Sequence, residues 1–223
     1  MEFIKKYRIV CYLLFVALIS IFIAFNYFNN KKPKEIVIER KPIVDEQVPT
    51  KDDLPTIDFE SIRKKYDNKD IKGALRIYDE DFEEIVFQTD NNDYYMDHCY
   101  NGKKTNGELF LDYRLDIDTS KIKLIYGQGS TKSSIIEKYL QEDYYKKHKY
   151  LELETDKAIY KYEVISLYEG KININKFNIN NLIDSSRIIY NKNVTDENEL
   201  IIYQSIINDK LLSIIGKRVK INS

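Results

Sequence analysis

The chain has 223 residues and a nearly balanced charge, with 35 Lys and Arg against 36 Asp and Glu. This balance argues against nucleic acid as a partner, because no net field attracts a polyanion. Only two cysteines and two histidines occur, with no Cys/His cluster at ligand spacing. The sequence therefore predicts no disulfide framework, no zinc site and no cofactor.

A long uncharged segment near the N-terminus predicts a membrane anchor. Residues 9–30 carry no charge, and Ile, Leu, Val, Phe and Ala dominate residues 9–28. A helix needs about 20 residues to cross the hydrocarbon core of a bilayer, so the segment is long enough. The long domain that follows favours a cytoplasmic N-terminus, residues 1–8, and an extracellular C-terminal domain. A cleaved signal peptide is the alternative, but the apolar run is long and no small-x-small cleavage site follows it.

The rest of the chain divides into a stalk and one domain. Residues 31–57 hold all four prolines among many charged residues, a composition typical of an extended stalk. Residues 58–223 have the length of a single domain with a continuous core. Asp58 is expected to cap a short helix that has Phe59, Ile62 and Tyr66 on one face.

The pattern of the domain then changes to short apolar segments separated by turn residues. Such segments predict strands, and their number predicts a mainly β fold, a closed or nearly closed barrel of about eight strands with peripheral helices. Leu151 and Leu153 alternate with Glu152 and Glu154, which is typical of a half-buried strand. The predicted strands cover residues 74–78, 84–88, 108–111, 121–126, 150–154, 159–168, 199–203 and 211–219.

Two stretches of the domain have apolar residues at helical spacing, residues 134–147 and residues 176–190. We interpret each as a helix that covers an open part of the barrel.

A series of short blocks runs through residues 58–221 in a specific order. They include Tyr126-Gly127 and Gly216-Lys217-Arg218, and each block alone is a weak signal. The blocks cover residues 73–77, 85–88, 92–98, 107–114, 124–127, 143–148, 160–164 and 216–219. Taken together they resemble the class B sortases, the membrane-anchored cysteine transpeptidases of Gram-positive bacteria.

That resemblance implies a site built from three side chains. In the family a cysteine thiolate attacks a threonine carbonyl, a histidine after a Tyr-Gly pair transfers protons, and an arginine stabilises the substrate or the oxyanion. The matching positions in this chain are Ser205, Gln128 and Leu211. A glutamine amide transfers no proton, a serine needs a neighbouring base, and leucine carries no charge. No catalytic residue of the family is intact at these positions.

The alignment at these positions depends on short local motifs. Gln128 follows Tyr126-Gly127, where the family has Tyr-Gly-His, and Ser205 ends a segment that replaces Thr-Leu-x-Thr-Cys. Counting back from Gly216-Lys217-Arg218 puts Leu211 at the arginine position. The only cation in residues 206–215 is Lys210, which is expected to point away from the face that Leu211 lines.

The other cysteine and histidines of the domain are weaker candidates. His98 and Cys99 are adjacent, but the family places no chemistry in their block, so we interpret them as a pair near a turn. His148 follows a Lys-rich helix end, where a cation is merely favourable, and we expect it to be solvated.

Three functions remain open from the sequence. The leading hypothesis is a non-catalytic sortase-like protein at the outer face of the membrane, which binds a sorting peptide, a surface protein or an active sortase. The second is an active variant transpeptidase that uses Ser205 as its nucleophile. The third is a structural envelope component without a peptide ligand. Convergence of Gln128, Ser205 and Leu211 in one groove would support the alignment.

Overall fold

The computed structural model describes residues 19–22, 55–127, 130–195 and 197–219. Residues 19–22 are helical, and the rest of the predicted anchor, residues 9–30, lies outside the described residues. Within the described ranges, no helix has both the length and the apolar character needed to cross a membrane. The anchor, the cytoplasmic N-terminus and the stalk up to residue 54 stay predictions. The predicted end of the stalk at residue 57 is wrong, because Ile57 is buried in the domain.

Strands dominate the described part of the domain. The strands are β1 (Ile71–Ile77), β2 (Glu83–Phe87), β3 (Leu109–Leu111), β4 (Ile122–Gly127), β5 (Tyr150–Thr155), β6 (Ile159–Glu169), β7 (Ile188–Ile189), β8 (Leu200–Ile207) and β9 (Lys210–Arg218). The helices are α1 (Phe59–Tyr66), α2 (Tyr94–Asp97), α3 (Ser130–Lys138), α4 (Glu142–Lys147) and α5 (Ile179–Asp184), with a 3-10 helix at Ile174–Lys176.

Eight of these strands close into a barrel. Their order is β5-β1-β2-β3-β4-β8-β9-β6, and pairing of β5 with β6 completes the ring, while β7 pairs with the free part of β6. The pairs β2–β3 and β4–β8 are parallel and the others are antiparallel. The predicted barrel of about eight strands is confirmed.

Both faces of the barrel wall are buried along residues 200–205 of β8. Ile201 and Tyr203 face an inner core to which all eight barrel strands contribute. Leu200 and Ile202 face an outer core that includes Leu182 of α5. Side chains alternate along a strand, so Ser205 continues the inner series of β8.

The prediction of a half-buried β5 is wrong, because Glu152 and Glu154 are 8% and 2% exposed. Glu152 pairs with Arg76 of β1. Glu154 Oε1 accepts hydrogen bonds from the backbone N–H groups of Thr56, at 2.5 Å, and Ile57, at 2.6 Å. The segment before α1 therefore covers β5, and both carboxylates are buried because partners distant in sequence satisfy them.

Both long predicted helices are shorter than expected. The stretch 134–147 is two helices, because the first ends in i→i−3 hydrogen bonds such as Tyr139 N to Ile136 O, at 3.1 Å. In the stretch 176–190 only α5 is helical. The hydroxyl of Ser185 donates to Asn181 O at 2.6 Å, beside the end of this helix, and Ile188 then belongs to β7.

The predicted helix after Asp58 is confirmed as α1. The Asp58 carboxylate accepts a hydrogen bond from the N–H of Ser61 at 3.0 Å, as an N-cap does. Phe59 and Ile62 are buried against the outer faces of β1 and β2.

We expect Asp58→Ala to lower the free energy of unfolding of the full-length chain by about 1 kcal/mol, because it leaves an N-terminal N–H group of α1 without its acceptor. Asp58→Asn is the matched control, since it removes the same charge and keeps a capping oxygen. Urea denaturation followed by circular dichroism measures both variants. Equal losses in the two variants would show that charge, and not capping, stabilises this helix.

Candidate functional site

Ser205 lies beside the Tyr126-Gly127 pair at the end of two parallel strands. The register of β4 and β8 places Gly127 opposite Ser205. Ser205 is 2% exposed, and its hydroxyl donates a hydrogen bond to the carbonyl oxygen of Gly127. Gln128 follows Gly127 in the chain but lies outside the described residues. The structure thus places Ser205 beside the Tyr-Gly pair of the alignment.

The surroundings of Ser205 are apolar and closely packed. A Cβ atom on Gly127 would lie 2.7 Å from the ring of Tyr203, so only glycine lets this ring pack against β4. Tyr203 is fully buried, and its ring centroid lies 6.0 Å from that of Phe82. Burial raises the pKa of the Tyr203 hydroxyl well above its ordinary value. Tyr203 therefore stays protonated and supplies no base to Ser205.

Helix α3 closes the end of the barrel near Ser205. It packs against β8 and β9, and its residues Ile135 and Ile136 join the inner core. Ile207 of β8 and Leu212 of β9 belong to the same core. Among the described residues, apolar side chains thus lie around the inner end of β8, where the Ser205 side chain is buried.

Leu211 does not face the same side of the sheet as Ser205. In the β8–β9 hairpin Ser205 pairs with Leu212, whereas Leu211 pairs with Ile206. Directly opposite side chains share a face and successive side chains alternate. Leu211 therefore lies on the outer face with Ile206, and the expected convergence of the three positions in one groove fails for Leu211. Counting along the sequence gave the position of Leu211 on its strand. The face on which it lies depends on the two-residue hairpin turn before that strand.

Lys210, the one cation between residues 206 and 215, lies at the hairpin end. Its Nζ atom is 3.2 Å from Glu169 Oε1, and its side chain is 55% exposed. It pairs with Ile207 in the strand register. Its ionic partner is therefore a carboxylate on β6.

The arginines in the described part of the chain are paired with carboxylates. Such pairs fix the guanidinium and neutralise its charge. The pairs are Arg63 with Asp156 (2.9 Å), Arg76 with Glu152, Arg114 with Asp112 (2.7 Å), Arg187 with Glu169 (2.6 Å) and Arg218 with Glu199 (3.6 Å).

His98 and Cys99 have separate partners. His98 Nδ1 lies 2.6 Å from Asp97 Oδ1, and its ring stacks on Tyr94 with centroids 4.6 Å apart. The Cys99 thiol is buried and donates to Asn101 Oδ1 at 2.9 Å. Neither side chain is oriented toward a shared target by these contacts.

The prediction that His148 is solvated is wrong, because it is only 9% exposed. Its Nδ1 atom lies 3.1 Å from the carbonyl oxygen of Tyr78, and its Nε2 atom lies 3.5 Å from Glu80 Oε2. The ring of Tyr144 lies against it, with centroids 4.3 Å apart. The β1–β2 turn covers this histidine, a contact that the local sequence does not reveal.

Asp112 is a central polar residue to which the sequence assigned no role. It is fully buried and accepts hydrogen bonds from Arg114 Nη2 (2.7 Å), Arg114 Nε (2.8 Å), Asn92 Nδ2 (3.0 Å) and the Tyr126 hydroxyl (3.1 Å). The bond to Tyr126 fixes β4 one residue before Gly127. The Asp-x-Arg spacing of residues 112–114 was visible in the sequence, but the partners Asn92 and Tyr126 were not.

The charge of Asp112 is stabilised by its neighbours. Burial alone would raise the pKa of its carboxyl group, but the hydrogen bonds from Arg114 and Asn92 outweigh burial and hold the pKa below its ordinary value. Burial and the charge of Asp112 together raise the pKa of Tyr126 to about 12. Tyr126 therefore remains a hydrogen-bond donor over the physiological range.

We expect Asp112→Asn to destabilise the full-length chain by roughly 3 kcal/mol at pH 7, because charge-assisted hydrogen bonds are lost. The folded pKa of Asp112 is lowered, so its contribution is complete above the unfolded pKa of about 4 and is lost as the pH falls below it. The difference between wild type and variant should therefore shrink toward pH 3.

Urea denaturation at pH 3, 5 and 7 measures this difference. The control is Asp156→Asn, which breaks an exposed pair with Arg63 and should cost less than about 1 kcal/mol. A loss in Asp112→Asn that does not change with pH would mean that packing, and not charge, accounts for it.

The comparisons with known proteins agree with this fold. No family model matches the chain. Sortase B of Listeria monocytogenes is 28% identical over 152 residues, which are 66% of this chain and 62% of that protein. Sortase B of Staphylococcus aureus is 28% identical over 116 residues, 50% of this chain and 47% of that protein. The chain thus spans less than two thirds of the length of the curated relatives it matches.

A solved structure is similar over most of the domain. The crystal structure of sortase B from B. anthracis in complex with AAEK1 has a TM-score of 0.64 and 23% identity, and the match covers 73% of this chain and 84% of that one. The closed barrel with its β4–β8 pair is therefore a sortase fold. Together with the two sortase B relatives, it supports membership of the class B sortase family.

Proposed function

We propose that this class B sortase homologue has lost transpeptidation and binds a sorting-signal peptide at the outer face of a Gram-positive cell membrane. The observation that carries the proposal is the buried Ser205 hydroxyl, which donates a hydrogen bond to the Gly127 carbonyl. The predicted anchor at residues 9–30 and the predicted stalk that follows it, up to residue 54, would hold the barrel at that membrane. Loss of chemistry with retention of binding is possible because site and fold are separable.

The first reason for inactivity is the absence of a base at Ser205 among the described residues. A serine attacks a carbonyl only when a base within hydrogen-bond reach removes its proton. The carbonyl oxygen of Gly127 accepts that hydrogen bond but is not a base at physiological pH. Gln128, the next residue, has an amide that does not titrate in this range. Loss of a general base costs about 10²–10⁴-fold in rate.

The second reason is that none of the described side chains supplies a free cation for the developing oxyanion. Leu212 lies opposite Ser205 on the inner face, and the described arginines are paired with carboxylates. Removal of a single oxyanion donor costs about 10²–10³-fold. Catalytic groups act as a unit, so we expect the combined replacements to leave little transpeptidase activity.

An apolar surface for a peptide remains on the outer face of the same hairpin. Ile206 is 50% exposed and lies directly opposite Leu211, which is half-buried. An exposed pair of large aliphatic side chains suits the apolar residues of an extended peptide. The B. anthracis sortase B crystallised in complex with AAEK1 supports ligand binding by a protein of this fold.

We expect the full-length chain to bind a sorting-signal peptide saturably and to leave it uncleaved. Ile206→Asp should weaken binding at least tenfold. A loss of about 1.4 kcal/mol of binding free energy from the apolar contact is enough for that change in Kd. Met96→Asp is the matched control, since Met96 is also exposed, at 38%, but lies on α2. Fluorescence anisotropy measures binding, and mass spectrometry of the peptide measures cleavage.

Two outcomes contradict the proposal. Cleavage that disappears in Ser205→Ala would identify an active variant transpeptidase. An absence of saturable binding, with the wild-type protein folded, would favour a structural envelope component.

A further inference from the structure

Three charged side chains form an exposed cluster beside the β8–β9 hairpin. Glu169, the last residue of β6, pairs both with Lys210 of β9 and with Arg187, which directly precedes β7. One oxygen of its carboxylate is 2.6 Å from Arg187 Nη1, and the other is 3.2 Å from Lys210 Nζ. The side chains of Glu169, Arg187 and Lys210 are 34%, 42% and 55% exposed. We call these three residues the Glu169 cluster.

The Glu169 cluster carries more positive than negative charge. Hydrogen bonds from Lys210 and Arg187 hold the pKa of the Glu169 carboxyl below its ordinary value, so Glu169 is charged at neutral pH. Its single charge offsets one of the two cations. Among the described residues, neither cation pairs with a second carboxylate. Asp184 and Asp209, which lie near Arg187 and Lys210 in the chain, are exposed and form no ion pair with a described residue.

Both cations keep unused hydrogen-bond donors. A guanidinium has five N–H donors and an ammonium group has three. Within the described part of the chain, Glu169 is the one acceptor that Arg187 and Lys210 contact. Because both side chains are largely exposed, their other donors face water. A carboxylate of a ligand can therefore reach both cations from solvent and leave Glu169 in place.

The Glu169 cluster adjoins the apolar pair of Ile206 and Leu211. Lys210 directly precedes Leu211, so their Cα atoms are about 3.8 Å apart. Gly170, which follows Glu169, donates its N–H to the Leu211 carbonyl oxygen at 2.9 Å. Successive side chains alternate, so the cations lie across the edge of the hairpin from the apolar pair. An extended peptide advances by about 3.3 Å per residue and can cover both parts within one to three residues.

We propose that the ligand of this surface is an acidic peptide, in which an apolar residue packs on Ile206 and Leu211 and a carboxylate one to three residues away binds Arg187 and Lys210. This assignment rests on the proposed function, because it names the chemical class of the peptide bound at the same hairpin. Glu169 holds the two cations at one point, so a second carboxylate meets both. A basic peptide is disfavoured there, since it adds like charge.

The test uses the full-length chain and two fluorescently labelled peptides with blocked termini, Leu-Leu-Glu-Glu and Leu-Leu-Gln-Gln, which differ only in charge. Fluorescence anisotropy gives the Kd of each peptide at about 20 mM and about 500 mM salt. At low salt we expect the acidic peptide to bind at least about fivefold more tightly than the neutral one. The difference should largely disappear at high salt, because salt screens exposed charges.

Variants of the Glu169 cluster assign this preference to its residues. Arg187→Gln combined with Lys210→Gln should abolish the preference and leave the Kd of the neutral peptide unchanged. Glu169→Gln should tighten binding of the acidic peptide, because the repulsion between two carboxylates is gone. Lys64→Gln is the matched control, since it removes a cation from an exposed ion pair on α1, where Lys64 Nζ is 2.7 Å from Glu60 Oε1. It should keep the preference of wild type.

The outcomes separate this inference from the proposed function. Equal affinity of wild type for the two peptides, or a preference that survives Arg187→Gln with Lys210→Gln, would overturn the inference and leave the proposed function standing. If the two peptides and the sorting-signal peptide all fail to bind saturably, the proposed function is contradicted, and the inference with it.

Discussion

The hydrogen bond from the Ser205 hydroxyl to the Gly127 carbonyl, across the parallel pair of β4 and β8, determines what this barrel can do. Parallel pairing places the end of β8 beside the Tyr-Gly pair. The missing side chain of Gly127 admits the ring of Tyr203, and α3 closes the space above it. The position that resembles the family's nucleophile is thus a satisfied polar contact in an apolar core. We propose that a hydroxyl in this state stabilises the fold and does not act as a nucleophile.

Much of the barrel could be predicted because its strands have local signals, namely apolar segments bounded by turn residues. The exceptions have physical causes. β7 has only two residues, too few for a period to be visible. The alternating pattern predicted that Glu152 and Glu154 face solvent. In the structure their carboxylates are paired with Arg76 and with the backbone N–H of Thr56, which are distant in sequence. The structure places Ser205 opposite Gly127, next to the Tyr-Gly pair of the alignment, whereas the face of Leu211 depends on the hairpin register, which no local motif encodes.

The polar groups of the barrel divide into two sets with opposite character. The Asp112 carboxylate accepts hydrogen bonds from several donors. Through Tyr126 and Asn92 it connects β4 to the loop before α2. Lys123 is the contrasting case, because its Nζ atom is buried and makes no hydrogen bond to any described residue. The first arrangement is complete and holds the strand that ends at Gly127.

The most direct measurement of the central claim is the accessibility of position 205. When Ser205→Cys is combined with Cys11→Ser and Cys99→Ser in the full-length chain, position 205 carries the single thiol. The rate at which this thiol reacts with a methanethiosulfonate reagent is then measured. The buried contact predicts a rate at least about 100-fold slower in the folded protein than in urea, because modification requires local opening. A folded-state rate equal to that in urea would show an open groove at Ser205 and contradict the account.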